Sequence, residues 1–175
     1  GGEPWCKTEK PKFLCPVPGY DRHFAITEQF GIQMINIPTD ENGPDMEMVE
    51  DLVKDPTVKG IWCVPMYANP SGIVYSDEVV ERLARLDAAA DNFRIFYDNA
   101  YIVHHLYDDA PKQLNLLKAA KKAGKAHQVY MFTSTSKISF AGSGISAFAA
   151  NAENIAYIKK QMSIQTISHD KINQM

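Results

Sequence analysis

Residues 58–98 read VKGIWCVPMYANPSGIVYSDEVVERLARLDAAADNFRIFYD. The first eight, Val58–Pro65, are apolar and β-rich, with the length of a buried strand. Met66–Tyr75 contains Asn69-Pro70-Ser71-Gly72, a composition that marks a loop. Ser76-Asp77-Glu78 caps a helix in which Val79, Val80, Leu83, Leu86 and Ala90 fall at helical spacing. Arg94–Tyr97 then returns to a short buried strand that ends at Asp98. The stretch is therefore strand, loop, helix, strand, and both strands are apolar nearly throughout.

The same alternation extends outward in both directions. Upstream, Lys12–Val17 reads as a strand running into Pro18-Gly19, and Asp21–Phe30 as a short helix closed by Gly31. Ile32–Ile37 alternates like a strand, and Met46–Val53 is helical with Asp45 as its N-cap. Downstream, Leu114–Ala123 is a helix ending at Gly124, and Gln128–Phe132 is a strand. Thr133–Gly144 is a Ser/Thr/Gly-rich loop, Ile145–Ala150 a further strand and Ala152–Ser168 a helix. Apolar strands alternating with helices imply an α/β fold of three layers, α/β/α, with a mostly parallel sheet covered on both faces. In such sheets ligands bind at the carboxyl ends of the strands. Asn69, Asp98 and Ser134–Lys137 each fall just past a strand.

Composition narrows the function classes. The chain has 175 residues, 45% hydrophobic and 22% charged, which suits one globular domain. Its net charge is −3, giving no electrostatic case for nucleic acid or an anionic membrane. The densest basic cluster, Lys118, Lys121, Lys122 and Lys125, reads as the solvated face of a helix. Cys6, Cys15 and Cys63 are odd in number and lack CxxC spacing, so no zinc or disulfide framework follows. Cys15 and Cys63 lie in apolar runs and are expected to be buried thiols in a reducing, cytoplasmic compartment. No apolar run reaches the roughly 18 residues of a membrane helix. GGEPWCKTEKPK is too polar for a secretory signal. The chain lacks an initiator Met and stops at Met175 inside a helical pattern; both ends are read as those of a piece of a longer chain.

Several side chains could carry chemistry. Lys137 stands among small hydroxyl and glycine residues in TSTSKISFAGSG, unlike the usual lysine on a helix face. It reads either as an exposed loop lysine or as an amine that forms a Schiff base with a carbonyl. Ser134 and Ser136 make a polar turn, or hold a phosphate together with backbone amides. Asp98 ends a buried strand, where a carboxylate is costly unless paired. It is a helix cap or loop residue, or the partner of a protonated pyridine nitrogen. Tyr101, three residues on, is a packed tyrosine or a phenol bonded to a cofactor oxygen. His104 and His105 are adjacent, so their side chains point apart and make a poor metal pair; no metal site is expected. Asn69 is a turn residue by composition, and Tyr20 is a surface aromatic or a ring stacked on a flat ligand.

The order of these elements is more specific than any of them alone. Tyr20, NPSG at 69–72, DNAY at 98–101 and STSK at 134–137 resemble the pyridoxal-phosphate-binding core of fold-type I aminotransferases, the aspartate aminotransferase superfamily. In that superfamily an aromatic residue, an NPTG-type turn, a D-x-A-Y strand end and an S-x-S-K loop follow one another at similar intervals. The runs PGYDRHF, GIWCVPMYANPSG and YDNAYIVHHL are most similar to a divergent bacterial branch containing aspartate aminotransferases. The resemblance covers the chain from about Lys12 to its end.

The resemblance implies pyridoxal 5'-phosphate as cofactor, with Lys137 forming the Schiff base and moving the Cα proton. Asp98 would pair with the pyridine nitrogen, and Tyr101 and Asn69 with the ring's phenolic oxygen. Tyr20 would stack on the ring, and Ser134 and Ser136 would hold the phosphate. It implies a homodimer acting on an amino acid, aspartate foremost, and a 2-oxo acid. Residues 1–175 would be one segment of the cofactor-binding large domain, without the family's N-terminal part and C-terminal small domain. One departure is plain: relatives carry a phosphate-binding arginine eight residues after the lysine, and position 145 is Ile here. Two other readings share these motifs: a C–S lyase or decarboxylase on the same site, and a non-catalytic cofactor-sensing domain of a regulator.

Overall fold

The computed structural model describes residues 3–140 and 142–174. The readings of the chain's two ends at Gly1, Gly2 and Met175 lie outside the described residues, as does Ala141 of the lysine loop. Among the described residues seven strands form one sheet: β1 (Lys12–Val17), β2 (Gln33–Asp40), β3 (Gly43–Pro44), β4 (Val58–Cys63), β5 (Arg94–Asp98), β6 (Val129–Ser134) and β7 (Ser146–Ala149). Five α-helices accompany them among the same residues: α1 (Asp21–Gln29), α2 (Met46–Leu52), α3 (Asp77–Arg85), α4 (Leu116–Lys122) and α5 (Ala152–Gln165). The strand order is β3-β2-β1-β4-β5-β6-β7. β2, β1, β4, β5 and β6 run parallel, and the short β3 and β7 pair antiparallel at the two margins. The expected three-layer α/β arrangement with a mostly parallel sheet is the one observed.

Local chemistry explains where the helices start and stop. Asp45 Oδ1 accepts from Met48 N at 3.0 Å and Ser76 Oγ from Val79 N at 3.3 Å, capping α2 and α3. Asn115 and Asn151 do the same for α4 and α5. Gly31 and Gly124 take φ of 64° and 74°, the left-handed backbone that closes α1 and α4.

Some boundaries differ from the sequence-based expectation. α3 stops at Arg85, and Leu86 leaves the helical backbone; Leu86 and Ala90 are buried all the same, but from the connection rather than from the helix. α5 ends at Gln165, short of Ser168. β6 runs on through Thr133 to Ser134, because Ser134 still pairs with Ser146 across the antiparallel ladder. Lys118, Lys121 and Lys122 on α4 are exposed as expected, but Lys125 lies beyond the end of that helix, half-buried and paired with Asp87 at 2.6 Å.

The sheet has two unlike faces. Leu14, Ile61, Ile95 and Val129 point to the side of α2, α3 and α4, where they meet Val49, Val80, Leu83 and Leu116; all are 0% exposed. Each such side chain contributes about 1.5–3 kcal/mol relative to exposure. The opposite side is aromatic: Phe96 lies within 5.8 Å, centroid to centroid, of Phe13, Trp62, Tyr130 and Phe132. α1 packs there, through His23 and Thr27 against Trp62. Cys15 and Cys63 are buried, as expected, and burial pushes the Cys15 thiol up to about 12. Among the described residues no helix is long and apolar enough to cross a membrane, and no cluster of three or more His, Cys, Asp or Glu could hold a metal.

β1 positions the site. The connection from β1 leads to β2 on one side and the connection from β4 leads to β5 on the other, so the ends of β1 and β4 part at a topological switch point. Tyr20 follows β1 there, and Asn69 follows β4.

Candidate active site

Asp98 is the last residue of β5, and both its oxygens are held. Oδ2 lies 2.9 Å from His23 Nε2, and Oδ1 accepts from Ala100 N at 3.2 Å. An ionised carboxylate only accepts, so Nε2 of His23 carries the proton. The imidazole is itself fixed on both sides. It stacks on Trp62 at 4.3 Å with an interplanar angle of 6°, and the Tyr20 ring meets it edge-on at 5.2 Å. Thr27 Oγ1 accepts from Trp62 Nε1 at 2.9 Å and donates to His23 O at 2.8 Å, tying the indole to α1.

His23 is the residue that sequence reading did not single out. It lies three residues past Tyr20, which places both side chains on the same side of the first turn of α1. PGYDRHF contained it, but nothing local shows that its partner is 75 residues away.

Tyr20, His23, Trp62, Asn69 and Ser71 line a single cleft at the switch point. Asn69 is exposed in a turn closed by Gly72 N donating to Ala68 O, with Gly72 at φ 75°. Tyr67, two residues earlier, holds a φ of 50°, rare for a residue with a side chain.

The lysine loop is joined to the Asp98 turn through backbone and side chain. Asn99 N donates to Phe132 O at 2.8 Å, and Thr133 Oγ1 donates to Asn99 O at 3.2 Å. Thr135 pins the loop. Its N–H donates to Ile145 O at 2.9 Å, its hydroxyl accepts from Ile145 N at 3.0 Å, and its carbonyl accepts from Ile138 N and Ser139 N. A Cβ on Gly144 would lie 2.7 Å from Ser136 Oγ and 2.9 Å from Ser136 N, so the close approach of the two strands of this loop requires glycine.

Ser134 ends β6, while Ser136 and Lys137 are exposed in the turn beyond it. Among the described residues the Lys137 ammonium has no hydrogen-bond or ion-pair partner. Its carbonyl lies 3.1 Å from His104 Nε2. Tyr101 is half-buried, edge-on to His104 at 5.3 Å.

The sequence candidates thus form two groups along one edge of the sheet. Tyr20 and Asn69 share the cleft with His23, whose other contact is Asp98. Tyr101, Ser134, Ser136 and Lys137 lie on the β5 and β6 side. His23 bridges the groups from α1 to the end of β5. Chemically the edge offers a fixed carboxylate, a free primary amine, aromatic rings and several hydroxyls.

Comparison with known proteins agrees with this arrangement. The family described as aspartate amino-transferase matches residues 1–175. A Mycolicibacterium smegmatis protein, named provisionally as an aminotransferase, is 50% identical over 173 residues, 98% of this chain and 40% of its own length. The aspartate aminotransferase of Corynebacterium glutamicum is 47% identical over 99% of this chain and 40% of its own length. A crystal structure of a Corynebacterium glutamicum aspartate transaminase superposes with a TM-score of 0.95 at 47% identity, over 98% of this chain and 41% of that one. The chain spans about 40% of the length of the curated relatives it matches. With the matched model spanning every residue, and the parallel sheet and its loaded edge in agreement, the chain belongs to the aspartate aminotransferase family.

Proposed function

We propose that this chain is the cofactor-binding segment of a pyridoxal-phosphate-dependent aminotransferase that moves an amino group between an amino acid, aspartate foremost, and a 2-oxo acid. The observation that carries the reading is Asp98, a half-buried carboxylate clamped by His23 at the sheet edge that also bears Lys137. A half-buried carboxylate held by an imidazole and a backbone amide suits a cationic ring nitrogen better than solvent. The donor set therefore fits the cofactor, which supplies, when bound, an electron sink for charge developing at the substrate Cα.

The protein's part follows from its own side chains. Asp98 would keep the ring nitrogen protonated, and His23 would hold that carboxylate in one orientation. Tyr20 would stack on the ring from the cleft, while Asn69 and Tyr101 would donate to its phenolic oxygen. Lys137, without an acidic neighbour among the described residues, would hold the cofactor and then accept and return the Cα proton as general base. Ser134, Ser136 and backbone amides would take the phosphate, with Ile145 standing where relatives place an arginine. The 47% identity to proteins named aspartate aminotransferase and aspartate transaminase supports aspartate as the first substrate to try.

We further propose that residues 1–175 form one segment of the large domain, and that the protein works as a homodimer in the cytoplasm. Exposed Leu106, Tyr107, Ile138 and Phe140 around the lysine loop support the dimer, because so much apolar surface next to a site calls for cover.

Borohydride reduction after mixing with pyridoxal phosphate, followed by mass spectrometry of the digest, tests the reading. It predicts label on Lys137 and 2-oxo-acid-dependent turnover that Lys137→Ala abolishes. Label without such turnover would move the assignment to a lyase or decarboxylase. No label on the folded full-length protein would favour the non-catalytic alternative, in keeping with Ile145.

A further inference from the structure

The pair His104-His105 has no part in the reading above, yet each ring reaches a different loop of the site. His104 Nε2 lies 3.1 Å from the carbonyl oxygen of Lys137. A carbonyl only accepts, so Nε2 carries the proton and donates. Nδ1 of the same ring is buried and, among the described residues, has no partner. Buried polar atoms are rarely left so. What holds the ring is its Nε2 contact and the edge-on Tyr101, 5.3 Å away. His105 turns the other way. Its Nδ1 lies 2.8 Å from the hydroxyl of Tyr67, in the loop that carries Asn69, and the two rings meet at 74°. Tyr67 is the residue held at φ 50°, a conformation that needs outside support.

We infer that His104 and His105 are positioning residues forming a two-sided clasp, which sets the Lys137 loop and the Asn69 loop at fixed places relative to Tyr101. The two adjacent side chains point apart, so neighbouring positions at the end of one short turn can grip two loops that are far apart in sequence. Lys137 lies 33 residues after His104, and Tyr67 lies 38 before His105. Neither imidazole need touch a cofactor or substrate. The clasp's bearing on the cofactor rests on the function proposed above; its bearing on the loops does not.

The test uses the full-length protein and two readouts. The first is hydrogen–deuterium exchange without added cofactor. Ile138 N and Ser139 N, which donate to Thr135 O, report the lysine loop, and Gly72 N, which donates to Ala68 O, reports the other. His104→Phe is expected to speed exchange at 138–139 and leave Gly72 as it was. His105→Phe and Tyr67→Phe are each expected to speed exchange at Gly72, with the double variant no faster than either one. The second readout is the affinity for pyridoxal phosphate and the absorption band of the bound form. Each Phe variant is expected to lose about tenfold in affinity. His104→Gln, whose amide nitrogen falls near the Nε2 position, and His105→Asn, whose amide falls near Nδ1, are expected to restore most of it.

Exchange unchanged in all Phe variants overturns the clasp. Faster exchange in a protein that never binds the cofactor upholds the clasp and overturns the function proposed above. Faster exchange with cofactor affinity and spectrum intact overturns the positioning role.

Discussion

The two faces of the sheet are built from the same strands but behave differently. Toward α2, α3 and α4 the residues are aliphatic, and Leu14, Ile61, Ile95 and Val129 are completely buried. On the other face Trp62, Phe96, Tyr130 and Phe132 are only partly covered. The aliphatic face is a core in the ordinary sense, closed by interdigitating branched side chains. The aromatic face combines packing with polar reach. Trp62 stacks on His23 and donates to Thr27, so this layer continues without a break into the support of Asp98. One face holds the fold; the other holds the fold and the candidate site together.

Breaking the aliphatic face is expected to cost most. Leu83→Ala empties a position that is 0% exposed, and a loss of about 4 kcal/mol is expected in urea unfolding. A loss below about 1 kcal/mol would mean that α3 can collapse into the gap and that this face is less tightly packed than described.

Next comes Gly60→Ala on the aromatic face. A Cβ there would sit 2.3 Å from the Phe13 ring and 2.6 Å from Arg94 O. About 3 kcal/mol of destabilisation is expected. Adding Phe13→Leu should recover only part of it, since the Arg94 carbonyl belongs to the neighbouring strand and cannot withdraw. Full recovery would show that the ring alone imposes the glycine.

Trp62→Phe sharpens the contrast. It removes the bond to Thr27 and much of the surface under His23, and about 1.5 kcal/mol of stability should go with them. Its distinguishing effect should be on His23. The imidazole resonances in a nuclear magnetic resonance titration should shift and broaden, whereas Leu83→Ala should leave them in place. Equal effects from both variants would dissolve the distinction between the faces.

The smallest effect belongs to neither face. At the edge away from the site Lys12 Nζ lies 2.7 Å from Asp55 Oδ2, and Asp55 also accepts from Thr57. These bonds hold the Asp55 carboxyl down at about 2. A depressed acid stabilises the fold above its unfolded value, near 4, and the contribution fades as pH falls through about 2. The pair is partly exposed, so solvent screening limits it to about 1 kcal/mol. Asp55→Asn should therefore lower stability at pH 7 by about that much, with the difference from the parent protein closing by about pH 2. A difference that persists at pH 2 would point to lost packing rather than lost charge.

Much of this was legible in the residues. The helix starts at Asp45 and Ser76 and the closing glycines at 31 and 124 were read from capping chemistry, which acts over three or four residues. The strands were read from apolar runs, and Asn69, Asp98 and Lys137 from their position just beyond them. The boundary errors at Ala90 and Ser134 have separate causes. Apolar periodicity marks which residues are buried, not whether helix or connection buries them, and the end of β6 depends on a partner strand rather than on its own composition.

What the sequence alone determined is therefore local: the alternation of strand and helix, the caps, the motif residues at strand ends and the family resemblance they carry together. Tertiary structure alone decided the strand order that splits β2 and β4 to either side of β1, and the two unlike faces that result. It also decided the pairing of His23 with Asp98 and the divergent reach of His104 and His105. Local patterns record periodicity and turn chemistry, which each segment carries within itself. Which segments become neighbours depends on how all the layers bury their apolar faces at once, and no single stretch of this chain contains that information.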